Sequence, residues 1–244
     1  MSIYKEGYIH AIETMGCLDG PGIRFILFMQ GCNLRCAYCH NVDSQAKNCG
    51  RKMNTNEVAK EVLKYKEFFI SSNGGITVSG GEPLLQIHFL IELFKILKKE
   101  NIHTAVDTSG DFKLNEKTRP IFDELLAFTD LILLDIKLID EERHIKLTGF
   151  TNKHILELGK YISEKGIPIW IRHVLVPNIT NKKGDLQKLK NYIDELKTVT
   201  KIEVLPYHNM GKSKWEELGL DFPLKGVKAP TEEEVKEARD VLQV

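Results

Sequence analysis

The sequence predicts an α/β fold built on a largely parallel sheet, and three observations carry that prediction. Short β-branched runs alternate with longer amphipathic stretches along the 244-residue chain, as expected for strands joined by helical crossovers. Six strands can be counted. The conspicuous glycines and polar residues fall late in those strands or just after them, where parallel α/β folds gather their active sites. A doubly wound sheet and a barrel share this alternation and periodicity does not separate them. With six strands, a complete eight-stranded barrel is not expected.

In chain order, the first predicted strand is Arg24–Met29, followed by a helical face carrying Val58, Val62 and Tyr65. Ile76–Ser79 is the second strand, and Leu90, Leu93, Phe94 and Leu97 repeat the helical spacing after it. His103–Asp107 and Leu131–Ile136 follow as strands three and four. Gly166 and Pro168 read as a helix stop before the fifth strand, Ile169–Val176. Leu186, Leu189, Ile193 and Leu196 form a further helical stripe, and Ile202–Pro206 is the sixth strand. Thr231 with Glu234 has the form of a capping box opening a last helix. No repeat, low-complexity tract or flexible linker interrupts the series, so one domain over residues 1–244 is expected.

Composition narrows the class. Hydrophobic residues make up 42% and charged residues 28% of the chain, which suits a globular protein able to bury a sizeable core. The 34 basic residues balance 34 acidic ones and are scattered, so no nucleic-acid footprint is expected. The start, MSIYKEGYIH, lacks an apolar leader, and no run approaches the ~20 apolar residues of a membrane span. A cytoplasmic location is expected.

Three of the five cysteines, Cys32, Cys36 and Cys39, fall within eight residues. In a reducing compartment such thiols bind metal or do chemistry rather than form disulfides. Their C-x3-C-x2-C spacing supplies three thiolates where a cubane iron–sulfur cluster normally takes four. One iron is then left open to bind a substrate. Two other readings stand beside this one: free cysteines in a tight loop, or zinc with His40 as fourth ligand. Zinc motifs generally want a further pair of ligands at a distance, and none is evident. Cys17 and Cys49 carry no motif. The pair Gly80–Gly81 lets a backbone approach a ligand closely, although alone it reads as a turn. Asp107, Asp135 and Lys137 lie at two neighbouring strand ends, with 135 and 137 on one face; a structural ion pair would look the same. Alone, Arg172 reads as a surface cation, His208 as a hydrogen-bonded rim histidine, and Asp19-Gly20-Pro21-Gly22 as a turn.

The cysteine motif, with Tyr38 before its third cysteine, resembles the signature of the radical S-adenosylmethionine superfamily. Ser79-Gly80-Gly81-Glu82-Pro83 resembles the segment with which that superfamily binds an amino group. More narrowly, Asp19–Arg24, Tyr38–Asn41, Leu134–Lys137, Trp170–Arg172 and Leu205–His208 are similar, in the same order, to the glycyl-radical enzyme activases that act on pyruvate formate-lyase. The likeness runs from about His10 to Lys228.

This resemblance implies an incomplete TIM-like (β/α)6 barrel, with a 4Fe–4S cluster on Cys32, Cys36 and Cys39 in a loop after the first strand. It implies that S-adenosylmethionine is held by Tyr38, Cys39, His40, Gly80, Gly81, Glu82, Asp107, Asp135, Ile136, Lys137, Arg172 and His208. Within that set Glu82 would meet the ammonium group, and Asp135 with Lys137 would suit the zwitterionic end. A monovalent cation near these carboxylates is compatible with it. Asp19 would face the protein substrate near the barrel mouth. The implied reaction is one-electron cleavage of S-adenosylmethionine to methionine and a 5′-deoxyadenosyl radical, which takes a glycine Cα hydrogen from the partner. A reduced flavodoxin or ferredoxin would donate the electron; no nucleic acid or membrane partner is implied. An activase of a glycyl-radical dehydratase or an anaerobic ribonucleotide reductase is the nearest alternative. Many dehydratase activases carry a cysteine-rich insertion where residues 41–54 here are short and hold only Cys49. A small-molecule radical enzyme is a second alternative. A non-catalytic electron carrier would be expected to have a fourth cysteine at ferredoxin-like spacing, which is missing.

Overall fold

The computed structural model describes residues 5–244; the first four, part of the stretch read as lacking an apolar leader, lie outside the described residues. The strands are β1 (Glu6–Gly16), β2 (Arg24–Met29), β3 (Arg51–Asn54), β4 (Gly75–Gly80), β5 (His103–Thr108), β6 (Leu131–Asp135), β7 (Ile169–Leu175) and β8 (Val199–Pro206). Between them lie α1 (Thr55–Leu63), α2 (Lys66–Ser72), α3 (Ile87–Lys99), α4 (Arg119–Leu126), α5 (Glu141–Thr148), α6 (Lys153–Glu164) and α7 (Lys183–Asp194). The short α8 (Lys212–Glu217) and the terminal α9 (Glu232–Leu242) follow β8.

All eight strands form one sheet in the order β3-β1-β2-β4-β5-β6-β7-β8. From β2 to β8 every neighbouring pair is parallel, which makes the six-stranded incomplete barrel. The six expected strands are these six. β1 pairs antiparallel with both β2 and β3 and extends the sheet beyond the sequence expectation. Neither added strand carries a strong apolar signal, since most of β1 is partly or fully exposed and β3 buries only Met53.

Parallel strands covered on both faces are apolar throughout, and β6 follows the rule, with Leu131, Ile132, Leu133 and Leu134 all buried. Leu90, Leu93, Phe94 and Leu97 of α3 are completely buried, because their spacing puts them on one helical face. At the amino ends of the strands the interior is closed by a cation. Arg24 is wholly buried; its Nε donates to Thr77 Oγ1 at 2.9 Å and its guanidinium also reaches the carbonyl of Ile76. Burial pulls its pKa down to about 10 against the opposing fields of Asp130 and Asp19. His103, with Nδ1 3.2 Å from the same guanidinium, is pushed down to about 4 by burial and then by Arg24, so it is neutral and able to accept. The hydrogen bonds satisfy a charge that would otherwise be prohibitive to bury. No helix among the described residues is long and apolar enough to cross a membrane.

At α9 the predicted capping box is present: Thr231 accepts from Glu234 N, and Glu234 accepts from Thr231 N at 2.8 Å. Thr231→Ala should therefore cost about 1 kcal/mol. Thermal unfolding should move down by roughly 2–4 °C; an unchanged midpoint would show that this cap contributes nothing.

Candidate active site

The loop that carries the cysteines leaves β2 at Gln30 and returns to the sheet at β3. Hydrogen bonds from Gly31 N to the Ser44 carbonyl (2.7 Å) and from Cys32 N to the Gln45 carbonyl (3.1 Å) fold it back on itself. Gln30 Nε2 donates to the carbonyls of Ala46 (2.8 Å) and Asp43 (3.1 Å). One guanidinium nitrogen of Arg35 lies within 2.8–3.0 Å of three carbonyls, those of Cys32, Asn33 and Leu34. The backbone N–H groups of Arg35 and Ala37 donate to Thr148 and Leu147 at the end of α5. From the far end of the chain, Trp215 Nε1 donates to the Cys39 carbonyl at 2.9 Å. Sequence reading missed Arg35 and Trp215 because their partners are backbone carbonyls, which leave no side-chain motif.

The glycine turn after β4 is the other half of the site. Gly81 N donates to the Met29 carbonyl at 3.0 Å and Glu82 N to the Gly31 carbonyl at 2.8 Å. A Cβ at Gly81 would stand 2.3 Å from the Gly31 oxygen, and one at Gly80, whose φ is +106°, 2.4 Å from Met29 N. These glycines thus let two backbones meet, the turn and the start of the cysteine loop.

Together these segments border a cavity of about 210 Å3 at the carboxyl ends of the strands. Cys32, Cys36, Cys39, Tyr38 and His40 line one side; Gly80, Gly81, Asp107, Asp135 and Lys137 line the other. Ser79, Thr108 and Ser109 also line it, polar residues that the sequence places late in or just after strands. Lys137 is ion-paired with Asp135 and lies 5.6 Å from the Tyr38 ring centroid. Burial alone would lower the Lys137 pKa, but Asp135 and then Tyr38 hold it well above the ordinary value. Burial raises the Asp107 pKa even though Arg172 and Ser79 both oppose that.

The donor set fits an iron–sulfur group. Burial pushes the Cys36 thiol up to about 12 and raises the pKa of Cys32 and Cys39 as well. Thiolates at these positions therefore need a compensating positive charge, which bound iron supplies as it displaces the protons. Among the described residues no three His, Cys, Asp or Glu side chains converge on a single ion; a cubane instead takes its thiolates at separate corners. His40, the fourth ligand of the zinc alternative, has Nε2 2.9 Å from the His208 carbonyl and its ring 4.1 Å from that of His208. Within the cavity lining, Asp135 Oδ1 and the Tyr38 hydroxyl are buried without a hydrogen-bond partner. Buried polar atoms of this kind are normally satisfied, so the lining fits a polar ligand that completes them.

Four residues expected to hold S-adenosylmethionine, and Asp19, do not border this cavity. Glu82 is fully buried and its carboxylate is saturated by Leu84 N, Thr108 Oγ1 and both Ser109 donors, at 2.5–3.0 Å. It braces the glycine turn against β5 and leaves no oxygen for an ammonium group. The side chain of Ile136 belongs to the main apolar core. Arg172 lies behind the wall in a charge network, 3.2 Å from Asp107, 3.0 Å from Asp19 and 3.3 Å from Glu203. Asp19 does not border the cavity itself but meets the cavity-lining Asp107 through Arg172. His208 borders an adjacent groove and touches the site through its ring, which lies tilted against that of His40. Cys17 and Cys49 are free and exposed, away from the cavity.

A family model described as the radical SAM superfamily matches residues 26–189. The chain is 49% identical over 238 residues to the pyruvate formate-lyase-activating enzyme of Listeria monocytogenes, covering 97% of this chain and 96% of that one. It is 52% identical over 235 residues to the protein of the same name from Staphylococcus epidermidis, covering 96% and 94%. Among solved structures, a domain of a pyruvate-formate lyase-activating enzyme from Bacteroides vulgatus superposes with a TM-score of 0.58 at 26% identity, over 70% of this chain and 93% of that one. A radical SAM methyltransferase from Sphaerobacter thermophilus shares the fold at a TM-score of 0.66 and 15% identity, over 97% and 74%.

Gly81→Ala should force the cysteine loop off the turn. Iron and sulfide content after reconstitution should fall severalfold while far-UV circular dichroism stays native; full cluster loading would contradict the close approach. Asp111 supplies a pH test, since its carboxylate fastens Asn33 of the loop at 2.7 Å and pairs with His154 at 2.7 Å. Burial works against its charge, but those two partners outweigh it and hold the pKa below the usual aspartate value. A depressed carboxyl stabilises fully above its unfolded pKa of about 4 and loses that contribution as pH falls through the folded value. The urea stability gap between wild type and Asp111→Asn should thus be constant above about pH 5 and close on further acidification. A gap that widened in acid would reverse the sign.

Proposed function

This chain belongs to the radical SAM superfamily and, within it, to the pyruvate formate-lyase-activating enzymes; from that premise we propose that it installs a glycyl radical in pyruvate formate-lyase, working as a single cytoplasmic domain. The observation that carries the reading is one cavity lined by three convergent thiols, that of Cys36 buried and those of Cys32 and Cys39 half-buried, and by buried polar atoms without partners. In this reading Cys32, Cys36 and Cys39 hold a 4Fe–4S cluster. When bound, that cluster supplies the electron that splits S-adenosylmethionine into methionine and a 5′-deoxyadenosyl radical, and this radical takes the glycine Cα hydrogen.

The chain's own residues bind, orient and exclude water. Lys137 offers its ammonium to the carboxylate of S-adenosylmethionine, and Asp135, already paired with it, keeps it charged. The orphan oxygen of Asp135 and the Tyr38 hydroxyl complete the polar contacts. Gly80 and Gly81 present backbone where a side chain would block the approach, and Glu82 holds that turn rigid from behind. His40, whose pKa burial lowers, presents a neutral ring to the cavity and is kept in place by His208. Arg172 links Asp107 on the cofactor side to Asp19, which we assign to the protein substrate. A reduced flavodoxin or ferredoxin supplies the electron.

The decisive test is electron paramagnetic resonance on an anaerobic mixture of reconstituted reduced protein, S-adenosylmethionine and pyruvate formate-lyase. A glycyl-radical doublet that needs every component is expected. With the cluster intact, no doublet would overturn the assignment of this partner. Cys36→Ala should lose cluster and doublet together, and product formed by that variant would refute the thiol assignment.

A further inference from the structure

We propose that the groove on the back of the cysteine loop is the docking site for a small acidic one-electron carrier protein, and that the electron enters there; this rests on the activase reading above. The cavity face of the loop is where S-adenosylmethionine and the substrate glycine must both fit, so an electron carrier needs another approach. The opposite face offers one. A groove of about 360 Å3 lies between α5, the turn after β7 and the segment that follows α8, with Ala37 of the loop itself in its wall.

Ala37 is the residue between Cys36 and the Tyr38 of the cavity. Leu138, Leu147 and Leu224 of the groove wall pack in the same apolar cluster as Cys36. A single layer of side chains thus separates the groove from a thiol assigned to the cluster. The loop is rigid here, since Ala37 N donates to the Leu147 carbonyl at 2.9 Å and Arg143 of α5 fastens the Ile179 carbonyl on the facing turn.

Charge selects the partner. The groove is bordered by Arg143, Lys146 and Lys182 and by no carboxylate, in a chain whose formal net charge is zero. Arg143 is neutralised by Asp185, whereas Lys146 and Lys182 are exposed to solvent. An apolar floor with uncompensated cations at its edge complements a carrier whose redox centre is ringed by acidic groups. The transfer is a simple one: the reduced carrier ends one electron poorer, and the group held by the three thiols ends one electron richer.

Charge reversal at Lys146→Glu with Lys182→Glu tests this, with Lys146→Gln and Lys182→Gln as a milder pair. Iron content and thermal midpoint should match wild type. Reduction of the cluster by photoreduced flavodoxin, followed by absorbance and by electron paramagnetic resonance, should slow by roughly tenfold or more, with a flatter dependence on ionic strength. Binding of flavodoxin to the same variants should weaken in parallel. Reduction by dithionite, and glycyl-radical formation after it, should be unchanged. Equal flavodoxin rates in wild type and variants would overturn the proposal. So would a loss of glycyl radical after chemical reduction, which would give the groove to the protein substrate. If no radical forms even in the chemically reduced wild type, slower flavodoxin reduction in the variants would still support the docking site.

Discussion

The architecture of the site depends on one close approach between two backbones. The turn at Gly80–Gly81 meets the start of the cysteine loop with no Cβ between them, and two N–H to carbonyl bonds close the contact. Parallel strands bring β2 and β4 side by side, but adjacency alone would leave the 21 residues between β2 and β3 free to choose their path. The glycine contact removes that choice. Glu82 then ties the turn to Thr108 and Ser109 at the end of β5, so three strand ends share one rigid rim. A carboxylate saturated by hydrogen bonds is a brace, and its low solvent exposure follows from that duty.

Below the rim the interior is unusually charged for a protein core. Arg24 closes the amino ends of the strands with neutral acceptors, whereas Arg172 sits among three carboxylates. The contrast has a physical basis. Arg24 serves packing, and burial lowers its pKa. Arg172 lies where Asp107 and Asp19 outweigh burial and raise its pKa above the ordinary guanidinium value. One cation therefore spans the distance between a cavity-lining carboxylate and the segment before β2, giving two sides of the lumen a common support.

The sequence made the fold class and the rim legible for different reasons. Strand periodicity located all six parallel strands, because β2, β4, β5, β6 and β7 bury near-continuous runs and β8, which buries only Val204, still carries β-branched and apolar residues in sequence; β1 and β3 escaped because their half-exposed residues carry no such run. The cysteines, the glycine pair, Asp107, Asp135 and Lys137 were found because their residue types are unusual at strand ends. Glu82 and Ile136 sit inside the same motifs yet face away from the cavity. A motif identifies neighbours in sequence without saying which side chain points inward. Arg35 and Trp215 were invisible for the converse reason, as both act on carbonyl oxygens that every residue possesses. Asp111 lay outside every motif, and only the tertiary fold brings it to Asn33 and His154.

The fastening of Cys39 by Trp215 joins residues 176 positions apart, and the His40–His208 contact spans 168. During synthesis the cysteines emerge early, whereas the groups that clamp their loop emerge after nearly nine-tenths of the chain. Long-range closures of this kind come late in folding. The thiols consequently pass through a period in which they are attached to a nascent sheet but not yet clamped or buried. Iron delivered before β8 and α8 are in place would meet a loop already held by the glycine turn and α5 but still unclamped at Cys39 and His40, so the last closure of the cofactor site waits on the carboxyl-terminal part of the chain.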